Sequence, residues 1–333
     1  MHQLTYGDIK AATGRIAGRV RPVTLSRLDP GAIRGDRPEE PCEMWLALEF
    51  MQHTGSFKAR GAQNFVQAHR DAGTLPDSGV TIASGGNAGL ACAWAARQQG
   101  VRATVFLPGT APAVKVDRLR GYGADVRLVG SEYAEALAAC EDFAAATGAL
   151  ASHAYDHPLI AAGAGTLLEE IHRRIPDLDT VVVAVGGGGL FAGVATAARH
   201  HGIRTVAVEP ENCRALDAAL KAGHLVDVTV DSVASDSLGA RRASAMALHA
   251  ARQDGVRSVL VPDTGIVRAR QALWDDQRIA VEHAAATAFA ALTSPGQHIP
   301  GRGYRPEAGE KVCVVLCGAN TDPTDLVNRP AGH

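Results

Sequence analysis

Thr54-Gly55-Ser56-Phe57-Lys58-Ala59-Arg60-Gly61-Ala62 sets a lysine between a Gly-Ser turn and the start of a helical pattern. A lysine presented to a pocket forms a Schiff base with an aldehyde once desolvation and neighbouring positive charge lower its pKa toward neutrality. Taken alone, Lys58 reads as a solvated lysine of a first helical turn, so its chemistry rests on other stretches of the chain.

Two glycine-rich loops supply that company. The apolar run Thr180–Val185 leads into Gly186-Gly187-Gly188-Gly189 and a helical pattern from Leu190. Four glycines let the backbone turn its N–H groups toward an anion, and the following helix start adds partial positive charge. This is a phosphate cradle. It is not a Walker loop, because no Lys-Ser or Lys-Thr follows. Gly187, Gly189 and Ala192 also fit G-x-G-x-x-A, with Glu209 about twenty residues on, where a ribose-binding carboxylate sits in dinucleotide folds. On this loop alone a nucleotide-dependent oxidoreductase stays open. The second loop, Ser84-Gly85-Gly86-Asn87-Ala88-Gly89, again follows a β run and precedes a helix. Its polar side chains and free amides together suit a carboxylate or a phenolate.

Positioning these loops requires regular elements, and the sequence alternates them. A helix is expected near Tyr6–Ala17, a polar Pro-rich loop over Asp29–Pro41 and a strand over Met44–Phe50. Strands at Val80–Ala83, Ala103–Leu107 and Val126–Val129 alternate with helices at Gly89–Gln98, Ala113–Arg120 and Glu132–Thr147. The pattern resumes with helix Leu159–Arg174, strand Thr180–Val185, helix Leu190–His200 and strand Thr205–Val208. It ends with strand Ser258–Val261, helices at Asp263–Gln277 and Ala280–Leu292, and strand Val312–Leu316. Such alternation predicts α/β architecture, two doubly wound domains with mostly parallel sheets covered on both faces.

The 333 residues are enough for two domains, and a net charge of −2 gives no field for nucleic acid or anionic membrane. No apolar run spans a bilayer and the first residues lack a signal-peptide pattern, so a cytoplasmic protein acting on a small molecule is expected. Six scattered cysteines without a CxxC pair argue against zinc and against a disulfide scaffold.

Together the stretches carry a resemblance. Thr54–Ala62, Ser84–Gly89, Gly186–Leu190 and Cys317-Gly318-Ala319-Asn320 occur in the order and spacing of the fold-type II pyridoxal-phosphate enzymes, whose fold is tryptophan synthase β-like. The chain looks most like the serine/threonine dehydratases and also resembles serine racemases. Pro108, Pro112 and Lys115, Gly123-Ala124-Asp125, Gly163-Ala164-Gly165-Thr166 and Val208-Glu209-Pro210 add to it. The resemblance implies pyridoxal 5'-phosphate as cofactor and assigns roles residue by residue. Lys58 would hold the cofactor as a Schiff base and take the substrate's α-proton. Phe57 would lie against the pyridine ring, Asn87 would bond its phenolic oxygen, and Gly186–Gly189 would hold its phosphate. Ser84, Gly85, Asn87 and Ala88 would receive the substrate carboxylate. Cys317 would face the pyridine nitrogen as a neutral thiol, which weakens the electron sink and favours elimination. Glu282 would border the ring, and Asp236 and Gly239 would face the cofactor. Gly85 lacks the serine that racemases use on the opposite face, so dehydration of an L-amino acid is expected.

Three departures shape the expectation. Ala88 and Ala164 replace bulkier polar residues of the family, which implies a roomier pocket and a bulkier substrate such as L-threo-phenylserine. Glu209 matches a metal-binding glutamate, but Ala215 stands where its aspartate partner would be. No firm metal site is expected. The reaction implied is α,β-elimination of water from an L-β-hydroxy-amino acid of the threonine or serine type, giving a 2-oxo acid and ammonia. The expected domains are 1–72 with 157–333, binding the cofactor, and a mobile 73–156; a homodimer is implied by the family.

Overall fold

The computed structural model describes residues 3–28, 42–293 and 303–327. The Pro-rich loop expected over 29–41 lies outside the described residues. Among the described residues ten strands form two sheets: β1 (Leu25–Arg27), β2 (Glu43–Ala47), β3 (Val80–Ala83), β4 (Ala103–Leu107), β5 (Asp125–Leu128), β6 (Leu150–Ala151), β7 (Thr180–Ala184), β8 (Arg204–Pro210), β9 (Val256–Val261) and β10 (Lys311–Val315). The larger sheet runs β1-β2-β10-β7-β8-β9, and the smaller runs β5-β4-β3-β6. Every pairing is parallel except β1 with β2. The doubly wound expectation therefore holds, with one antiparallel edge.

Strands at the sheet centres were legible because they are apolar throughout: β3, β4 and β7 are buried at every position. Edge strands were not. β1 and β6 hold three and two residues, too few for a period to register. The strand expected over 44–50 stops at Ala47, and Glu49–Met51 and His53–Gly55 form two tight helical turns. They curl the chain toward Lys58.

Helix Lys58–Asp71 lies between the two sheets' cores. Ala59, Ala62, Phe65 and Val66 pack with Leu90, Trp94 and Ile82 of the smaller unit. The opposite face meets helix Pro158–Arg174 at backbone distance. A Cβ on Gly61 would lie 2.7 Å from the Ile160 carbonyl, and one on Gly163 would lie 2.6 Å from that of Arg60. Gly165 and Gly193 repeat this closeness between helices Pro158–Arg174 and Gly189–His200. Only glycine permits it.

A buried charge network fixes the same helix. The Arg60 guanidinium, with no exposed surface, donates to Glu49 Oε1 at 2.5 Å, Glu49 Oε2 at 3.0 Å and Glu170 Oε1 at 2.7 Å. Glu170 also accepts from the amide of Val23 at 2.7 Å. Burial works to lower the Arg60 pKa, but the two carboxylates outweigh it and hold the guanidinium protonated beyond its usual range. The sequence showed no sign of this triad, because its members are far apart in the chain and each reads as an ordinary surface charge.

Candidate active site

The carboxyl ends of β3, β7 and β10 open onto one cleft, where ligands bind in open parallel sheets. A cavity of about 850 Å³ fills it. Phe57, Lys58, Ser84, Gly85, Asn87, Ala88, Gly186–Gly189 and Cys317 all line this cavity, so the residues singled out for cofactor and substrate meet in one place. Glu282, Asp236 and Gly239 line it as well.

The lysine loop is tied to the end of β10. Phe57 N donates to the Cys317 carbonyl at 2.9 Å, and Ala319 N donates to that of Gly55 at 3.0 Å. Asn320 Nδ2 donates to the Thr54 carbonyl at 2.7 Å. These bonds hold Thr54 at φ 63°, a left-handed conformation that a β-branched residue rarely adopts. Lys58 Nζ donates to the Ala154 carbonyl at 2.9 Å. Desolvation lowers its pKa from 10.5 to about 8, against the opposing influence of Cys317 and Glu282. Burial pushes the Cys317 thiol up to about 12, with Glu282 adding to the rise. That thiol is therefore neutral when Lys58 titrates, and Glu282 is the neighbour whose charge matters.

The four-glycine loop has the form of an anion cradle. Gly188 has φ 91°, and a Cβ on Gly187 or Gly188 would collide with the Tyr155 ring or the Ala247 methyl. Among the described residues, no amide of Gly186–Gly189 has a protein acceptor, and helix Gly189–His200 starts there. Unpaired amides at a helix start bind phosphate. Together with a desolvated lysine on the same cavity, this fits pyridoxal phosphate.

Asn87 starts helix Asn87–Gln98, and its side chain sits in a network that spans both sheets. Its Nδ2 donates to Glu282 Oε1 and Oε2 at 2.9 and 3.1 Å. Its Oδ1 accepts from Asn320 Nδ2 at 2.6 Å. Glu282 also accepts from Ser237 Oγ at 2.7 Å and Asn320 N at 2.8 Å. The sequence reading missed Ser237 and gave Asn320 no role. The only signal for Asn320 was its place at the end of the Cys317–Asn320 motif.

Two expected residues lie elsewhere. Glu209 is fully buried, and its oxygens accept from the amides of Leu216 and Asp217 at 2.8 Å each. Burial pushes its carboxyl up to about 8 against the pull of those amides. It caps helix Ala215–Ala222 and lies off the cavity. Ala164 is buried in helix Pro158–Arg174 and does not line the cavity either. It packs in the larger core, so the pocket-widening expectation rests on Ala88 alone.

A desolvated lysine and a phosphate cradle facing each other where two parallel sheets meet define an enzyme with a lysine-bound cofactor. The chain belongs to the family described as pyridoxal-phosphate dependent enzyme, whose profile matches residues 24–318. It is 36% identical over 283 residues to the human protein "Serine dehydratase-like", covering 83% of this chain and 85% of that protein. It is 34% identical over 321 residues to the L-threonine ammonia-lyase of Geobacter sulfurreducens, covering 96% of this chain and 76% of that protein. Among solved structures, maize serine racemase superposes with a TM-score of 0.85 at 28% identity, covering 98% of this chain and 96% of that one. The cofactor is pyridoxal 5'-phosphate and the fold is type II. The oxidoreductase alternative is not needed.

Proposed function

We propose that the enzyme deaminates an L-β-hydroxy-amino acid by eliminating water. The observation that carries this reading is the cavity itself, where Lys58, the Ser84–Ala88 loop and a neutral Cys317 meet. Similarity to serine and threonine dehydratases supports it. Bound pyridoxal phosphate supplies an aldehyde for the substrate's amine and a ring that takes up electrons from the α-carbon. Lys58 Nζ takes the α-proton as general base. Ser84 and the amides that follow it receive the substrate carboxylate. Gly186–Gly189 would hold the cofactor's phosphate, Phe57 would cover its ring, and Asn87 would bond its phenolic oxygen. Cys317, a neutral thiol lining the same cavity, would stand on the pyridine-nitrogen side without the charge to keep that nitrogen protonated, which would favour loss of the β-hydroxyl. The released enamine becomes an imine and takes up water. The sum is one 2-oxo acid and one ammonium per substrate, with no net water.

The β-substituent is bulky and apolar in this reading. Tyr133 and Leu137, one helical turn apart and 59% and 37% exposed, line the same cavity as Ala88. Exposed apolar side chains in a cleft mark what it is built to cover. L-threo-phenylserine is expected to be turned over with at least about 10-fold higher kcat/KM than L-serine, and Tyr133→Ala to narrow that ratio about 10-fold. Ammonia release from the two substrates and L-threonine measures this. A preference for serine would overturn the side-chain assignment and leave deamination standing. No ammonia from any of the three would overturn deamination.

Residues 73–156 form the mobile unit in this reading, with 1–72 and 157–333 as its base, and the chain acts as a cytoplasmic homodimer on a small molecule. Among the described residues no helix is long and apolar enough to cross a membrane. Light scattering tests the dimer.

A further inference from the structure

Asn320 is a large-unit side chain gripped from both directions, and its hydrogen bonds leave it one orientation. Its Nδ2 donates to the Thr54 carbonyl and to Asn87 Oδ1. Its Oδ1 accepts from the Arg118 guanidinium. The main-chain amide of Asn320 donates to Glu282. A Cβ on Gly55 would lie 2.7 Å from Asn320 Oδ1, so glycine there gives the amide its room.

A side-chain amide is ambiguous, because oxygen and nitrogen exchange on a half-turn, and only its partners decide which faces where. Asn87 Oδ1 is fixed by the donor from Asn320, which forces Asn87 Nδ2 to the other side, toward Glu282 and the cavity. We infer that Asn320 is a positioning residue that fixes the amide of Asn87 as a donor toward the cofactor and registers the smaller unit's closed position through Arg118. This rests on the reading that Asn87 bonds the cofactor's phenolic oxygen. Asn87 and Arg118 both belong to residues 73–156, while Asn320 and Thr54 do not. Separation of the two units breaks the Asn87 and Arg118 bonds to Asn320 together, releasing Asn87 and leaving the lysine loop held by one bond from Asn320.

Titration of the apo protein with pyridoxal phosphate, followed by visible absorbance, tests the inference through apparent Kd and band position. Asn320→Asp keeps an acceptor for Arg118 but cannot donate to Asn87, and is expected to weaken cofactor binding about 10-fold and shift the band. Arg118→Ala keeps both donors of Asn320. It is expected to leave Kd within two-fold while raising KM for the amino acid severalfold with kcat nearly unchanged. Combining Asn87→Ala with Asn320→Asp is expected to give little further loss beyond Asn87→Ala, since both act through one amide. If Asn320→Asp does not fold, Asn320→Ser takes its place in the same cycle. Unchanged Kd and band in the Asn320 variant, or additive losses in the cycle, would overturn the inference. Unchanged Kd in Asn87→Ala would instead overturn the underlying assignment of Asn87.

Discussion

Lys58→Ala is expected to bind pyridoxal phosphate without developing its visible band, and to lose ammonia release by at least about 10³-fold. The size follows from Lys58 being both the proposed covalent holder and the proposed base, on a cavity lined, among the described residues, by one other lysine. Lys115, the other lysine lining the cavity, is paired to Asp236 at 3.0 Å on the exposed rim. The wild-type amine has a further signature. Because desolvation lowers it to about 8, capture of the cofactor by apo protein rises with pH and levels off above that value. An ordinary lysine would go on gaining to 10.5. Glu282 opposes the lowering, so Glu282→Gln moves the midpoint further down. Rates of band appearance across pH measure both effects, and a wild-type midpoint near 10.5 would remove the desolvated-lysine argument.

Arg60→Leu is expected to cost about 3–5 kcal/mol of stability, because it leaves Glu49 buried and Glu170 half-buried without their shared cation. In thermal unfolding this is a fall in Tm of about 4–7 °C for a chain of this length. Exposure decides the contrast: the Arg242–Asp227 pair, 54% and 56% exposed, has nearly the same donor–acceptor distance, and Arg242→Ala is expected to leave Tm almost unchanged. Equal losses from the two variants would mean that the Arg60 triad is solvated in solution.

The site was legible wherever chemistry needs a residue type at a chain position next to a strand end. Lys58, Asn87, Gly186–Gly189 and Cys317 were found that way and meet on one cavity. Contacts made only by folding were not legible. Nothing in the sequence says that Asn320 reaches Asn87, or that Arg60, two residues past the lysine, turns inward to Glu49 and Glu170. Glu209, near the end of β8, fitted two ligand readings in the sequence; folding brings its carboxylate to the start of helix Ala215–Ala222. Sheet edges escaped for want of length, as β6 with its two residues shows.

The glycine seam beside Lys58 has a mechanical consequence. One side of helix Lys58–Asp71 touches its neighbour backbone to backbone at Gly61 and Gly163, and the other touches through side chains such as Phe65 and Ala62. Side chains have rotamers with which to absorb a shift of an ångström or so; interlocked backbones have none. In the proposed movement of residues 73–156, displacement would concentrate on the side-chain face, so that the lysine would stay with the larger sheet while the Ser84–Ala88 loop shifts.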